Sequence, residues 1–135
     1  MSFLGVIFDF DGVLANTEPL HLQAYQDVLD QTPLTLSKKA YESTYLGYDD
    51  MGVFTHLAQD QQVVISPDEV SRLITRKGER FTQLVNSRNV IFPEARACIE
   101  RLSGTCKLGI ASGALHQEIE TILDASSLKS HFTTI

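Results

Sequence analysis

The segment Phe3 to Phe8 is apolar apart from Gly5, and it runs directly into Asp9, Phe10, Asp11 and Gly12. This junction constrains the fold more than any other feature of the chain. Apolar residues on both alternating faces predict a parallel strand buried on both sides. In open α/β sheets, ligands sit outside the carboxyl ends of the strands, where these acids fall. A lone Asp-x-Asp is as readily a solvated turn or a helix cap. Two acids ending an apolar strand and followed by Gly-Val-Leu are much less common, and they read as a site.

Downstream the pattern becomes helical. Thr17 to Gln31 carries an apolar stripe of Leu20, Ala24 and Val28 with Tyr25 and Leu29, and Thr17 is placed to cap it. Ser37 to Leu46 reads as a second, weaker helix, and Asp50 to Gln59 as a third. Ser66-Pro67-Asp68-Glu69 combines a Ser cap, a Pro in the first position and a Glu at the capping-box position. The helix it opens runs to about Val85, with Val70, Leu73, Ile74, Phe81, Leu84 and Val85 inward. Pro93 opens another helix, to about Leu102. Leu108 to Ala111 is a second strand, a helix spans Leu115 to Ala125, and Phe132 to Ile135 begins a third strand. This order predicts an α/β fold, a parallel sheet with an inserted helical lobe.

Phosphoryl transfer through a covalent intermediate needs a nucleophile, a metal to offset charge, a proton donor and fixed hydrogen-bond donors. Asp9 can attack phosphorus with one carboxylate oxygen while the other binds a cation. Asp11 can protonate the leaving oxygen and later activate water. Gly12 permits the tight turn between them. Ser112 ends the second strand ahead of a helix, so its hydroxyl and the N–H of Gly113 can face a phosphoryl oxygen. The competing role for Ser112 is a plain helix cap.

The net charge of -6 argues against nucleic acid as a main partner, because backbone binding needs clustered Lys and Arg. Cys98 and Cys106 have no metal-ligand spacing and read as two buried, reduced thiols of a cytosolic protein. The N-terminus has no signal-peptide pattern and no stretch has the length to span a bilayer, so the expected location is cytoplasmic, with no membrane partner.

These residues resemble the haloacid dehalogenase superfamily. Val6 to Leu14 is similar to its first motif, Leu108 to Gly113 to its second, and the helical insertion to the small cap of the β-phosphoglucomutase-like phosphatase branch. The resemblance implies a partial Rossmann-like core of residues 1–14 and 88–135 with a cap of residues 15–87. It implies Asp9 as nucleophile, Asp11 as general acid/base, and Ser112 with Gly113 on the phosphoryl group. It also implies Mg²⁺ on the Asp9 carboxylate and the Asp11 main-chain carbonyl, hard oxygen ligands that suit it. Thr17, His21 and Lys77 match polar positions that close the mutase cap over substrate. Lys77 sits on the apolar stripe of its helix, where its stem could equally snorkel to solvent. Gly47 to Asp50 occupies the specificity loop.

Where the mutase has an arginine for its second phosphate, this chain has Asp50, an acid that repels such a group. The reaction implied is hydrolysis of a small phosphomonoester through an aspartyl-phosphate; the alternatives are a sugar-phosphate mutase and a non-catalytic remnant acting as a binding module. A dehalogenase fits less well, because the second Asp belongs to the phosphatase pattern. Glu94 replaces the glycine usual after Pro93. The family's third-motif Lys and fourth-motif carboxylates lie beyond the third strand. Lys129 is too early to supply the former, and Glu118, Glu120 and Asp124 read as a solvated helix face. The 135-residue chain is therefore expected to turn over little substrate by itself, and either to self-associate through the edge of its first strand or to be poorly stable.

Overall fold

The computed structural model describes residues 4–135, so Phe3 lies outside the described residues. Strands β1 (Gly5–Phe8) and β2 (Lys107–Ile110) pair in parallel, with Gly5 opposite Lys107 and Phe8 opposite Ile110. The expectation that the first strand is buried on both sides is not met. Ile7 is 73% exposed, whereas Leu108, Gly109 and Ile110 of β2 are buried. The reason is position. Among the described residues β1 pairs only with β2, while β2 also meets the segment beyond it through a parallel bridge from Gly109 to Thr134.

That bridge is what forms where a third strand was expected at Phe132 to Ile135. The Thr133 N–H donates to the Leu108 carbonyl at 2.8 Å, and the Ile110 N–H donates to the Thr134 carbonyl at 3.1 Å. A short 3₁₀ turn, Lys129–His131, leads into it. Gly109 is required here by close approach, since a Cβ at this position would lie 2.9 Å from Thr134 Cγ2.

The helices are α1 (Glu18–Leu29), α2 (Lys38–Ala40), α3 (Asp50–Asp60), α4 (Pro67–Ser87), α5 (Pro93–Leu102) and α6 (His116–Ala125). The α4 start follows its sequence signal, with Ser66 Oγ accepting from the Glu69 N–H at 3.2 Å. Val70, Leu73, Phe81, Leu84 and Val85 are buried along it. The second expected helix differs. Ser37 caps a single turn, α2, and the chain then winds as a π-helix over Tyr41–Tyr45. Tyr41 and Tyr45 are both buried there, and the Tyr45 hydroxyl donates to Asp60 Oδ2 at 2.5 Å.

The chain divides into two compact units, Met1–Pro19 with Val85–Ile135, and Leu20–Leu84. In the first, Phe10, Leu14, Ile99, Leu108, Ile122 and Leu123 are buried. In the second, Tyr25, Val28, Phe54, Leu57 and Leu73 belong to one apolar cluster. Cys98 and Cys106 are both free and half-buried. No helix among the described residues is long and apolar enough to cross a membrane.

Candidate active site

The first unit contains a tightly wound loop after β1. Phe10 is buried, and its carbonyl accepts from the amides of Val13 at 3.1 Å and Leu14 at 2.9 Å. The Gly12 N–H donates to the Ala15 carbonyl at 2.9 Å. Gly12 has φ +76°, a left-handed conformation in which a side chain is strained. Two further bonds stitch the loop to the strand-like segment ahead of α5: Asn16 N–H to the Val90 carbonyl at 2.8 Å, and Phe92 N–H to the Leu14 carbonyl at 3.0 Å. The apolar side chains Phe10, Leu14 and Ala15 anchor the loop inward and leave Asp9 exposed.

Both acids are oriented by named donors. Asp9 Oδ1 accepts from the Phe10 N–H at 2.7 Å. Asp11 Oδ1 accepts from the Thr17 hydroxyl at 2.6 Å, and Thr17 is buried. Thr17 was read from sequence as a cap for α1 and as a substrate-facing residue; its hydroxyl is directed to Asp11.

Ser112 lies two residues beyond β2. The Ala111 N–H donates to the Phe8 carbonyl at 2.9 Å, which carries the parallel pairing one step past the strands. Asp9 and Ser112 therefore both follow the carboxyl ends of adjacent strands. The Ser112 hydroxyl accepts from the Ala114 N–H at 3.1 Å. It is not the cap of α6, whose N-cap position is Leu115 with no side-chain hydrogen bond. Gly113 is exposed, with open space where a Cβ would stand. Helix α6 begins at His116, three residues beyond Gly113, so its N-terminus follows Ser112 and Gly113 closely in the chain.

The residues of the second unit form a separate polar cluster. Lys77 is 1% exposed, which removes the snorkelling alternative. Its ammonium donates to Asp50 Oδ1 at 2.9 Å and meets His21 Nδ1 at 2.9 Å. It also lies 4.6 Å from the Tyr25 ring centroid and 5.4 Å from that of Phe81. Because an ammonium only donates, His21 Nδ1 accepts and the ring hydrogen sits on Nε2. Burial, reinforced by the Lys77 charge, lowers the His21 pKa to about 3, and Asp50 opposes this. His21 also stacks on Phe81 with centroids 4.3 Å apart. Gly47 lies in an exposed turn after the π-helix.

Sequence reasoning missed two partners. Tyr25, read only as part of an apolar stripe, donates its hydroxyl to Asp50 Oδ1 at 2.6 Å. Asp50, read as a repelling acid, is neutralised by Lys77. A Lys on an apolar stripe was the available signal, since a buried ammonium needs a paired anion. On the outer face of α6 the Glu120 carboxylate pairs with Lys129 at 3.2 Å and His116 at 3.3 Å. The Lys129 hydrogen bond is the main reason its pKa is lowered.

No group of three or more His, Cys, Asp or Glu among the described residues could hold a metal. The donor chemistry of the loop nevertheless fits Mg²⁺. Asp9 Oδ2 and the Asp11 carbonyl are hard oxygens that accept no hydrogen bond among the described residues. They could supply two of the oxygen ligands that Mg²⁺ takes.

The family model for haloacid dehalogenase-like hydrolases matches residues 6–135. The chain belongs to that family. Among solved structures it is similar to CbbY from Rhodobacter sphaeroides in complex with phosphate, at TM-score 0.83 and 19% identity, over 98% of this chain and 62% of that one. A predicted phosphoglycolate phosphatase from Haemophilus somnus matches at TM-score 0.83 and 17% identity, over 98% and 61%. A putative β-phosphoglucomutase from Thermotoga maritima matches at TM-score 0.76 and 23% identity, over 98% and 60%. The chain thus spans about three fifths of the length of these structures. A search of curated proteins found no match.

Proposed function

We propose that the protein carrying this chain hydrolyses a small phosphomonoester through an aspartyl-phosphate on Asp9. The observation that carries the proposal is the loop itself: an exposed Asp9 carboxylate, and an Asp11 carboxylate held by buried Thr17, at the carboxyl end of a strand whose neighbour leads to Ser112. In the first step an Asp9 oxygen bonds to phosphorus, the ester P–O bond breaks with its electron pair on the leaving oxygen, and Asp11 gives that oxygen a proton. With Thr17 on Oδ1, the proton is carried at Asp11 Oδ2. In the second step Asp11 takes a proton from water as the water attacks phosphorus, and Asp9 is released with inorganic phosphate. Ser112 Oγ and the Gly113 N–H donate to the phosphoryl oxygens.

Mg²⁺, held by the Asp9 carboxylate and the Asp11 carbonyl, would offset the charge of the phosphoryl group. The substrate-contact roles of His21, Gly47 and Lys77 enter this proposal by family resemblance. The neutralisation of Lys77 by Asp50 supports a monophosphate over a mutase substrate with a second phosphate.

Turnover of p-nitrophenyl phosphate tests the reaction. Activity that requires Mg²⁺ and falls on the order of a thousandfold or more in Asp9→Asn supports it. Mg²⁺-dependent turnover well above the uncatalysed rate that is equal in wild type and Asp9→Asn contradicts it.

A further inference from the structure

The unit Leu20–Leu84 carries a groove that the proposed reaction does not use. It encloses about 320 Å³ between the loop at Pro33 and Leu34, the extended segment Val63 to Ile65, and the first turns of α4. Two of its walls are tied together. The Gln61 side chain clasps the two loops, donating to the Thr35 carbonyl at 2.6 Å and accepting from the Thr35 N–H at 3.0 Å. The Val63 N–H donates to the Ala58 carbonyl at 2.9 Å.

The lining is apolar at its base and basic along one side. Leu34 and Leu73 are buried, Val63 and Ile65 are half-buried, and Val64 is 99% exposed between them. Arg72 and Arg76 stand one turn apart on α4, both exposed. Neither guanidinium has an ion pair or hydrogen bond among the described residues. Glu69 is the one acid in the lining, so the groove carries two positive charges and one negative. This is a net positive concavity in a chain of net charge -6. Like charges one turn apart repel, and an anion set between them relieves that repulsion.

We propose that this groove binds a small amphiphilic carboxylate, its hydrocarbon tail on Leu34, Val63, Ile65 and Leu73 and its head group between Arg72 and Arg76. A largely apolar concavity of about this volume, with a few convergent polar groups, is what small-ligand sites share. The Gln61 clasp joins the two loops in advance, so the ordering left to binding is chiefly that of the Arg72 and Arg76 side chains. Guanidiniums one turn apart can engage the two oxygens of one carboxylate.

Octanoate is the probe, titrated into the ¹⁵N-labelled chain and read by amide chemical shifts. Saturable shifts confined to the backbone of Val63, Val64, Leu73 and the α4 turn that holds Arg72 and Arg76 are expected. The double variant Arg72→Gln/Arg76→Gln alters only exposed side chains, and it should weaken binding about tenfold. On the wild type, 1-octanol, with the same tail and no charge, should also bind about tenfold more weakly. The proposal is overturned by the absence of saturable shifts at these residues, by saturation elsewhere, by equal binding of octanol and octanoate, or by unchanged affinity in the double variant. Shifts at the same residues that follow protein concentration without ligand also overturn it, because the occupant would then be a second copy.

Discussion

The Thr17 hydroxyl donates to Asp11 Oδ1 at 2.6 Å from a buried position, so the carboxylate of the proposed acid/base is held by the residue just ahead of the chain's first helix. Replacing Thr17 by Val keeps the shape and removes the donor. The expected result is a fall in kcat of about tenfold with little change in KM, and a loss of about 1 kcal/mol of stability. Steady-state kinetics and denaturant unfolding of Thr17→Val check it; an unchanged kcat would leave Thr17 with a packing role only.

Gly12 tests the loop independently of chemistry. Nothing lies within 4 Å of a Cβ built on it, so the cost of Gly12→Ala comes from the backbone at φ +76°. The variant should lose about 1–2 kcal/mol of stability, as left-handed backbone costs any residue with a Cβ. Gly113→Ala, with open space and no such φ, is the control and should lose much less.

His21 gives the pH dependence. Its pKa falls from 6.5 to about 3 on folding, chiefly through burial. The unfolded chain therefore binds the proton more readily than the folded one between those values. The contribution to stability is whole above the unfolded pKa and is lost as pH falls toward the folded one. The slope for one such group approaches about 1.4 kcal/mol per pH unit. Unfolding free energies should fall between about pH 6 and about pH 4, and His21→Gln should flatten that slope. Imidazole ¹⁵N shifts should report a neutral ring with hydrogen on Nε2 through the same range. A ring that titrates near its ordinary pKa contradicts the Lys77 arrangement.

Much of this was legible locally, and the losses have a common cause. The α4 and α5 starts were legible because Ser66-Pro67 and Pro93 act within one turn. The acidic loop was legible because a strand end, two acids and a glycine sit within four residues. The burial of β1 was not, since an apolar run reports what a strand tolerates and not how many neighbours it has; Ile7 shows the difference. The partners of Lys77 were not, since Asp50 is 27 residues away in sequence and His21 is 56, and periodicity on one helix says nothing of such pairs. The π-helix at Tyr41–Tyr45 has no sequence signal among those used.

The exposed apolar residues of the β1 region carry a further expectation. Leu4 is 94% exposed beside Ile7, and an apolar strand open in this way recruits other strands. Light scattering should show the isolated chain self-associating with rising concentration, and Ile7→Lys should reduce it. A concentration-independent monomer for the wild-type chain contradicts the expectation.

The central claim is that Asp9 accepts the phosphoryl group. Incubation with acetyl phosphate and Mg²⁺, reduction of any acyl phosphate with borohydride, and peptide mass mapping test it without requiring turnover. The account predicts reduction at Asp9 alone, converted to homoserine, and none in Asp9→Asn. Modification at Asp11 or another residue, its persistence in Asp9→Asn, or no modification at any residue would contradict it.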